Sequence, residues 1–239
     1  MSATRTIKEL IRHLRHRAGF RRREAHLAAA SRGERFASIY SDRVWTLGRA
    51  DVPLSGTGSS LAATEDLRKA LPGVVRELGV ETLVDVGCGD FTWMSQIDLG
   101  CRYVGVDIVP SVIEHNRQAH GSQTRQFMVH DIVAEPAPAG DLILCREVLF
   151  HLSFADGLAA LRNMASSGAR YLLLTTDRVT DFNADIETGD FRLLNLEKRP
   201  YRLPEPELRI QDDKISEGRF VGLWSAPAVL AALDGSRAS

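Results

Sequence analysis

Short apolar runs alternate along the middle of this chain with longer stretches whose apolar positions recur at helical spacing, which predicts strands interleaved with helices. Strands are expected at residues 83–86, 103–106, 125–129, 141–145 and 170–176. After Asp141 the fourth run is wholly apolar, as a strand buried on both faces should be. Helices are expected from Ser60, a candidate N-cap, through Leu67, Leu71, Val74, Val75 and Leu78 to Gly79, with Pro72 bending or dividing them, then behind Pro110 to His120, and at residues 154–164. A helix is also expected between the first two strands. Repeated strand, helix, strand units imply a mainly parallel sheet with right-handed crossovers.

From Asp177 the rhythm breaks. Residues 177–219 intervene before residues 220–224, which read as the last strand, and a segment of that length inside a compact domain is usually functional or disordered. Phe182, Phe191, Leu193, Leu194, Leu196, Tyr201 and Leu203 argue for order, so the insertion is assigned to the substrate side, with a short antiparallel strand near residues 208–211. A helix at residues 226–233 ends the fold, and residues 235–239 should fray.

Composition adds an asymmetry. Over 239 residues the net charge is −1, with 44% hydrophobic and 26% charged residues, which fits one soluble α/β domain with an extension. Residues 1–35 carry ten Arg or Lys against Glu9, Glu24 and Glu34, a net +7, leaving −8 on residues 36–239. Ile7, Leu10, Ile11 and Leu14 among those basic residues form an amphipathic basic helix, read as a solvated helix, a contact for an acidic surface, or an arm for a homodimer. The layout expected is a basic arm and lid loop over residues 1–59, a catalytic domain over 60–234 and a tail over 235–239. No apolar run is long enough to span a membrane, and the expected location is the cytoplasm. Cys88, Cys101 and Cys145 lack metal-ligand spacing and read as buried, reduced thiols.

The chain is organised around Leu83-Val84-Asp85-Val86-Gly87-Cys88-Gly89-Asp90, followed by Asp107 at the end of the second strand. Two glycines let the backbone turn sharply and approach a ligand, and a carboxylate at the next strand end can accept from both ribose hydroxyls. A dinucleotide site wants a small third residue where Thr92 stands, and Asp85 and Asp90 would repel a diphosphate but attract a ligand bearing an ammonium and a sulfonium. The stretch resembles the first motif of class I S-adenosylmethionine-dependent methyltransferases, over roughly residues 60–176. That resemblance implies an α/β, Rossmann-like, mainly parallel seven-stranded sheet with helices on both faces and an antiparallel last strand. In the family pattern Gly87 and Gly89 border the methionine part, Asp107 holds the ribose, Asp131 accepts the adenine amino group and the Ile132 amide meets the ring. The cofactor-binding set so implied is Asp85, Gly87, Cys88, Gly89, Asp107, Ile108, Asp131, Ile132 and Arg146. The loop Ser55-Gly56-Thr57-Gly58-Ser59, which has counterparts in similar small-molecule methyltransferases, can fold over the cofactor as a lid.

Just beyond the fourth strand stands Arg146-Glu147-Val148-Leu149-Phe150-His151-Leu152, where ligand sites form in open parallel sheets. Glu147 and His151, four apart, would share a helical face, with His151 as general base and Glu147 as its partner or a substrate ligand. Similar small-molecule methyltransferases often carry R-D-x-L-x-H-L here; Arg146 and Leu149 match, while Glu147 replaces the aspartate. The signature of base-amino methylation is absent, so nucleic acid is disfavoured and a hydroxylated small molecule such as a sugar or glycosylated metabolite is expected. The other readings are a protein or RNA methyltransferase using the basic arm and a cofactor-binding protein without turnover. Asp177, Asp181, Asp185, Asp190, Asp212 and Asp213 could supply oxygens to a divalent metal, but no fixed spacing indicates one.

Overall fold

The computed structural model describes residues 26, 27, 29 and 31–235; the basic helix expected around residues 7–17 and the tail 236–239 lie outside the described residues. Gly235, expected to fray, is the last residue of a helix.

In chain order the regular elements are α1 (Arg32–Ser41), α2 (Glu65–Glu77), β1 (Thr82–Val86), β2 (Arg102–Asp107), α3 (Pro110–His120), β3 (Arg125–Val129), β4 (Leu142–Cys145), α4 (Phe154–Ala165), β5 (Tyr171–Asp177), β6 (Leu208–Gln211), β7 (Arg219–Ser225) and α5 (Ala226–Gly235). The strands form a seven-stranded sheet in the order β3-β2-β1-β4-β5-β7-β6. The first five are parallel to one another, while β7 runs antiparallel to both β5 and β6. This is the Rossmann-like sheet expected from the sequence, with its strand order reversing between β1 and β4. A crevice opens beyond the carboxyl ends of those two strands, where open parallel sheets bind ligands.

Alternation along the central strands builds a core on each face. Val84, Val86, Ile143, Cys145, Leu172 and Leu174 pack with Leu161 and Met164 of α4 and Val229 and Leu233 of α5. Leu83, Leu142, Leu144 and Leu173 pack on the opposite face with Leu67, Leu71, Val74 and Val75 of α2 and Ile113 of α3. All four residues of β4 are buried, as a strand covered on both faces requires.

Two local expectations fail, each for a visible reason. The connection from β1 to β2 holds only a 3-10 turn, Met94–Gln96. Asp90 accepts from the Thr92 amide at 3.2 Å and Phe91 adopts φ 58°, so the segment has no regular helix start, and it is held instead by burial of Phe91, Trp93, Met94 and Ile97. Ser60 does not cap α2; its hydroxyl accepts from Ala63 and closes the preceding turn, and α2 starts at Glu65. The connection from β3 to β4 is short and carries Pro136, Pro138 and Gly140 in place of a helix.

Candidate functional site

Gly87 and Gly89, with φ of 72° and 57°, turn the chain out of β1. A Cβ on Gly87 would stand 2.3 Å from Cγ2 of Val148, and one on Gly89 would stand 2.2 Å from Oγ of Ser55, so conformation and space both require glycine. Asp107, at the end of β2, accepts from the Gly89 amide through Oδ2 at 3.1 Å and from the Val109 amide through Oδ1 at 3.0 Å. Its carboxylate thus ties the glycine turn to the start of α3. Burial pushes its pKa up to about 6, although those amides favour the ionised form. Asn116 of α3 donates to the Gly89 carbonyl at 2.7 Å, a support that the sequence motif did not reveal.

Beyond the turn lies a cavity enclosing about 810 Å³ of empty space, part of it open to solvent. Of the residues expected to hold a cofactor, Gly87, Asp107, Ile108, Asp131, Ile132 and Arg146 line it. Asp85, Cys88 and Gly89 do not. Asp85 faces the interior, where its Oδ2 accepts from the Tyr103 hydroxyl at 2.7 Å and burial pushes its pKa up to about 7. It is therefore not the carboxylate that would meet a cationic ligand. Asp131 lines the wall but is shared: Arg32 of α1 donates to its Oδ2 at 2.8 Å, and the Val133 amide donates to Oδ1 at 3.0 Å.

The N-terminal segment closes this cavity. Ser31 and Glu34 form a reciprocal capping box that fixes the start of α1. Arg32, Phe36 and Tyr40 of α1, together with Trp45, Ser55 and Ser59, complete the lining. The Gly/Ser loop is bolted onto the glycine turn: Ser55 donates its amide to Asp90 at 3.1 Å, and the Asp90 amide donates to Ser55 Oγ at 2.8 Å. The Tyr40 and Ser55 hydroxyls lie 3.0 Å apart.

At the far end, beyond β4, Glu147 and His151 both line the cavity, but they do not share a helical face. Glu147 has φ 58°, and only a 3-10 turn, Leu149–His151, follows it. The expected pairing is corrected accordingly: Glu147 accepts from Arg219 through Oε1, the same oxygen lying 3.3 Å from Arg146 Nη2, while its amide donates to Thr175 Oγ1 at 3.0 Å. Arg146 in turn grips Asp212 with bonds of 2.8 and 3.1 Å. Two arginines and two carboxylates form a buried, neutral network in which Arg146 is committed to protein partners.

His151 takes its partner from the insertion. Its Nδ1 lies 2.8 Å from the Asp190 carbonyl. A carbonyl can only accept, so Nδ1 carries the hydrogen and Nε2 keeps a lone pair. Burial lowers the pKa to about 4, outweighing that hydrogen bond and the nearby negative charges, so the ring is neutral at ordinary pH. Trp45 stacks on the imidazole at 4.9 Å with 31° between planes, and Phe150 and Phe191 flank it at 4.7 and 5.7 Å.

Residues that sequence reasoning left outside the site are Arg32, Tyr40 and Trp45, while Asp190 and Arg219 belong to the insertion assigned to the substrate side, without the roles described above. Only the Gly/Ser loop ahead of the first strand, read as a lid, hinted that the N-terminal segment reaches the cavity. Among the described residues no group of three His, Cys, Asp or Glu side chains is arranged to hold a metal, and no helix is long and apolar enough to cross a membrane.

The architecture is shared with solved methyltransferases. The chain is similar to magnesium protoporphyrin IX methyltransferase (ChlM) from Synechocystis PCC 6803 with bound SAM, at 16% identity over 83% of this chain and 98% of that one, with a TM-score of 0.53. It is also similar to the N-methyltransferase NodS from Bradyrhizobium japonicum WM9, at 19% identity over 68% and 96% of the two chains, with a TM-score of 0.50. The methyltransferase domain of bacterial-CtHen1-CN matches at 14% identity over 68% and 99%, also with a TM-score of 0.50. No curated protein sequence matches this chain. A family model described as a methyltransferase domain matches residues 5–209, most of the sequence, and the chain belongs to that family.

Proposed function

We propose that this chain transfers the methyl group of S-adenosylmethionine to a hydroxyl of a small, uncharged polar molecule such as a sugar or glycosylated metabolite, with His151 as general base. The observation that carries this reading is the fixed tautomer of His151: Nδ1 is held by the Asp190 carbonyl at 2.8 Å, and among the described residues Nε2 has no hydrogen-bond partner. The cavity lining fits the cofactor in outline, with Gly87 for the methionine part, Asp107 for the ribose hydroxyls, and Ile108, Asp131 and Ile132 for the adenine. The Synechocystis neighbour, solved with SAM bound, supports that assignment through its fold. The cofactor supplies an activated methyl group on a sulfonium.

The chain's own residues then have three tasks. The N-terminal segment and the Gly/Ser loop exclude water and hold reactants in line. Glu147, with Oε1 fixed by two guanidinium groups, is a rigid acceptor that can orient a substrate hydroxyl through Oε2. His151 takes the proton at Nε2. The preference for an uncharged acceptor is supported by the pairing of charges in the wall: Arg32 is matched by Asp131, Arg146 by Asp212, and Glu147 by Arg219, so among the described residues each arginine of the lining already has an acidic partner.

The test is His151→Ala, assayed against a panel of hydroxylated acceptors. The expected result is a fall in kcat of ~10² to 10⁴ with S-adenosylhomocysteine affinity unchanged. Full turnover by that variant would return the histidine to a packing role.

A further inference from the structure

We infer that Trp45 is a positioning residue for the proposed base: carried by the N-terminal segment, it fixes the plane of the His151 imidazole and shields the ring from water. Segment 31–59 then becomes part of the reaction site and not only its cover. The inference rests on the reading of His151 as base, but its geometry stands independently.

Trp45 is held from three sides. Phe36 and Tyr40 of α1 meet its ring at 6.2 and 5.4 Å, the latter edge-on at 73°. Gly56 lies so near that a Cβ there would stand 3.2 Å from Cβ of Trp45. The same cluster reaches Ile108, Val109 and Val112 around the start of α3. Trp45 is thus anchored to the sheet side of the cavity before it touches His151. The histidine is anchored separately through Asp190, and the two rings meet at 4.9 Å with their planes tilted by 31°.

An imidazole with one hydrogen bond can still swing about that bond, and each orientation sends Nε2 along a different line. A flat indole over one face, with Phe150 and Phe191 on other sides, removes that freedom. The charged groups acting on the ring are Glu147, just after β4, and Asp190 and Arg192 from the insertion; the N-terminal segment brings aromatic surface. Loss of Trp45 therefore mainly changes hydration and orientation, leaving those charges in place.

The experiment compares Trp45→Ala with Trp45→Phe in the full chain. The His151 Cε1 proton is followed by NMR as a function of pH, assigned by its absence in His151→Ala, so no acceptor is needed. The wild-type midpoint should lie near 4. Trp45→Ala should raise it by at least about one pH unit toward the ordinary histidine value of ~6.5, and Trp45→Phe should keep it near the wild-type midpoint. With an acceptor, the acid limb of kcat should move in parallel. The kcat plateau should drop by about 10-fold or more in Trp45→Ala and recover in Trp45→Phe. If the alanine variant does not fold, Trp45→Gln gives the same readout. An unmoved midpoint in a folded variant, or an equal rise in Trp45→Phe, overturns the inference. Should His151→Ala retain turnover while Trp45→Ala still moves the titration, the base reading fails and the Trp45 contact stands. The converse pattern spares the base and removes Trp45.

Discussion

At one end of the cavity Gly87, Gly89 and Asp107 come from one unit, β1 to β2, and are joined by backbone amides; at the other, Glu147 and His151 depend on partners from β7, the insertion and the N-terminal segment. The first end is made by local chain geometry and would persist in any sequence that keeps two glycines and one carboxylate. The second is made by long-range contacts: a side chain holding a side chain across 72 residues for Arg219 and Glu147, and a backbone carbonyl holding a side chain across 39 for Asp190 and His151. A site assembled that way is easy to alter piecemeal, which suits the part that must distinguish one acceptor from another.

The largest effect should come from cutting the ion network that supports the acceptor end. Arg146→Met leaves Asp212, with 1% of its side chain exposed, without its guanidinium, and Glu147 with one partner fewer. Breaking a buried pair from one side costs about 3–5 kcal/mol, so the urea midpoint should fall with the slope preserved. Arg146→Met combined with Asp212→Leu should recover part of that loss, because the stranded charge is then gone. Stability unchanged by the single replacement would show that the network is not what holds this end.

At the cofactor end, Asp107→Ala should weaken S-adenosylhomocysteine by ~1.5 to 3 kcal/mol, the range for losing hydrogen bonds to a charged group. The same change frees the Gly89 and Val109 amides, so hydrogen exchange at those positions should quicken. Calorimetry showing equal affinity in a folded variant would remove Asp107 from the site.

Asp85 offers a contrast within the same unit, because it belongs to the motif yet faces the core. In the folded protein its carboxyl titrates near 7, against ~3.9 in an unfolded chain. Between those values the folded state holds a proton that the unfolded state has lost, so this group lowers stability as pH rises from about 4 toward 7. Asp85→Asn, which cannot ionise and can still accept from Tyr103, should be relatively more stable than wild type as pH climbs through that window, with no gap at the acid end. His151 has the opposite sign, since its folded value near 4 makes stability rise with pH up to ~6.5, but that contribution cancels between the two proteins. A gap independent of pH would mean that Asp85 is not the titrating group.

The sequence was most legible where contacts are short in sequence. Strand runs, Pro110 at the start of α3 and the carboxylate ending β2 all follow from periodicity and local backbone demands. The helix expected between β1 and β2 is missing because the Asp90 turn and the positive φ of Phe91 shape the start of that connection, which the alternation of strands and helices does not show. Glu147 does not share a helical face with His151, because four-residue spacing implies a common face only inside a helix, and the positive φ of Glu147 is a tertiary outcome. Trp45 and Arg32 carried no local signal, since their roles exist only once α1 has folded back over the crevice.

Arg32 gives the finest measure of how far the N-terminal cover and the cofactor end act together. Its guanidinium lies 2.8 Å from Asp131 and 3.5 Å from Asp156, bridging α1 to the end of β3 and the first turn of α4. About a third of its side chain is exposed, so the pair is screened by solvent and should contribute only ~0.5 to 1 kcal/mol. Arg32→Gln should therefore weaken S-adenosylhomocysteine by roughly 2- to 5-fold. The difference should shrink as added salt reaches about 1 M, where the screening length falls to ~3 Å. Asp131→Asn in the same background should add less than it does alone, because both changes remove one bond. An effect above about tenfold would make closure of α1 a main source of cofactor affinity. No effect at low salt would separate the two regions altogether, leaving the cofactor end as self-sufficient as its local construction suggests.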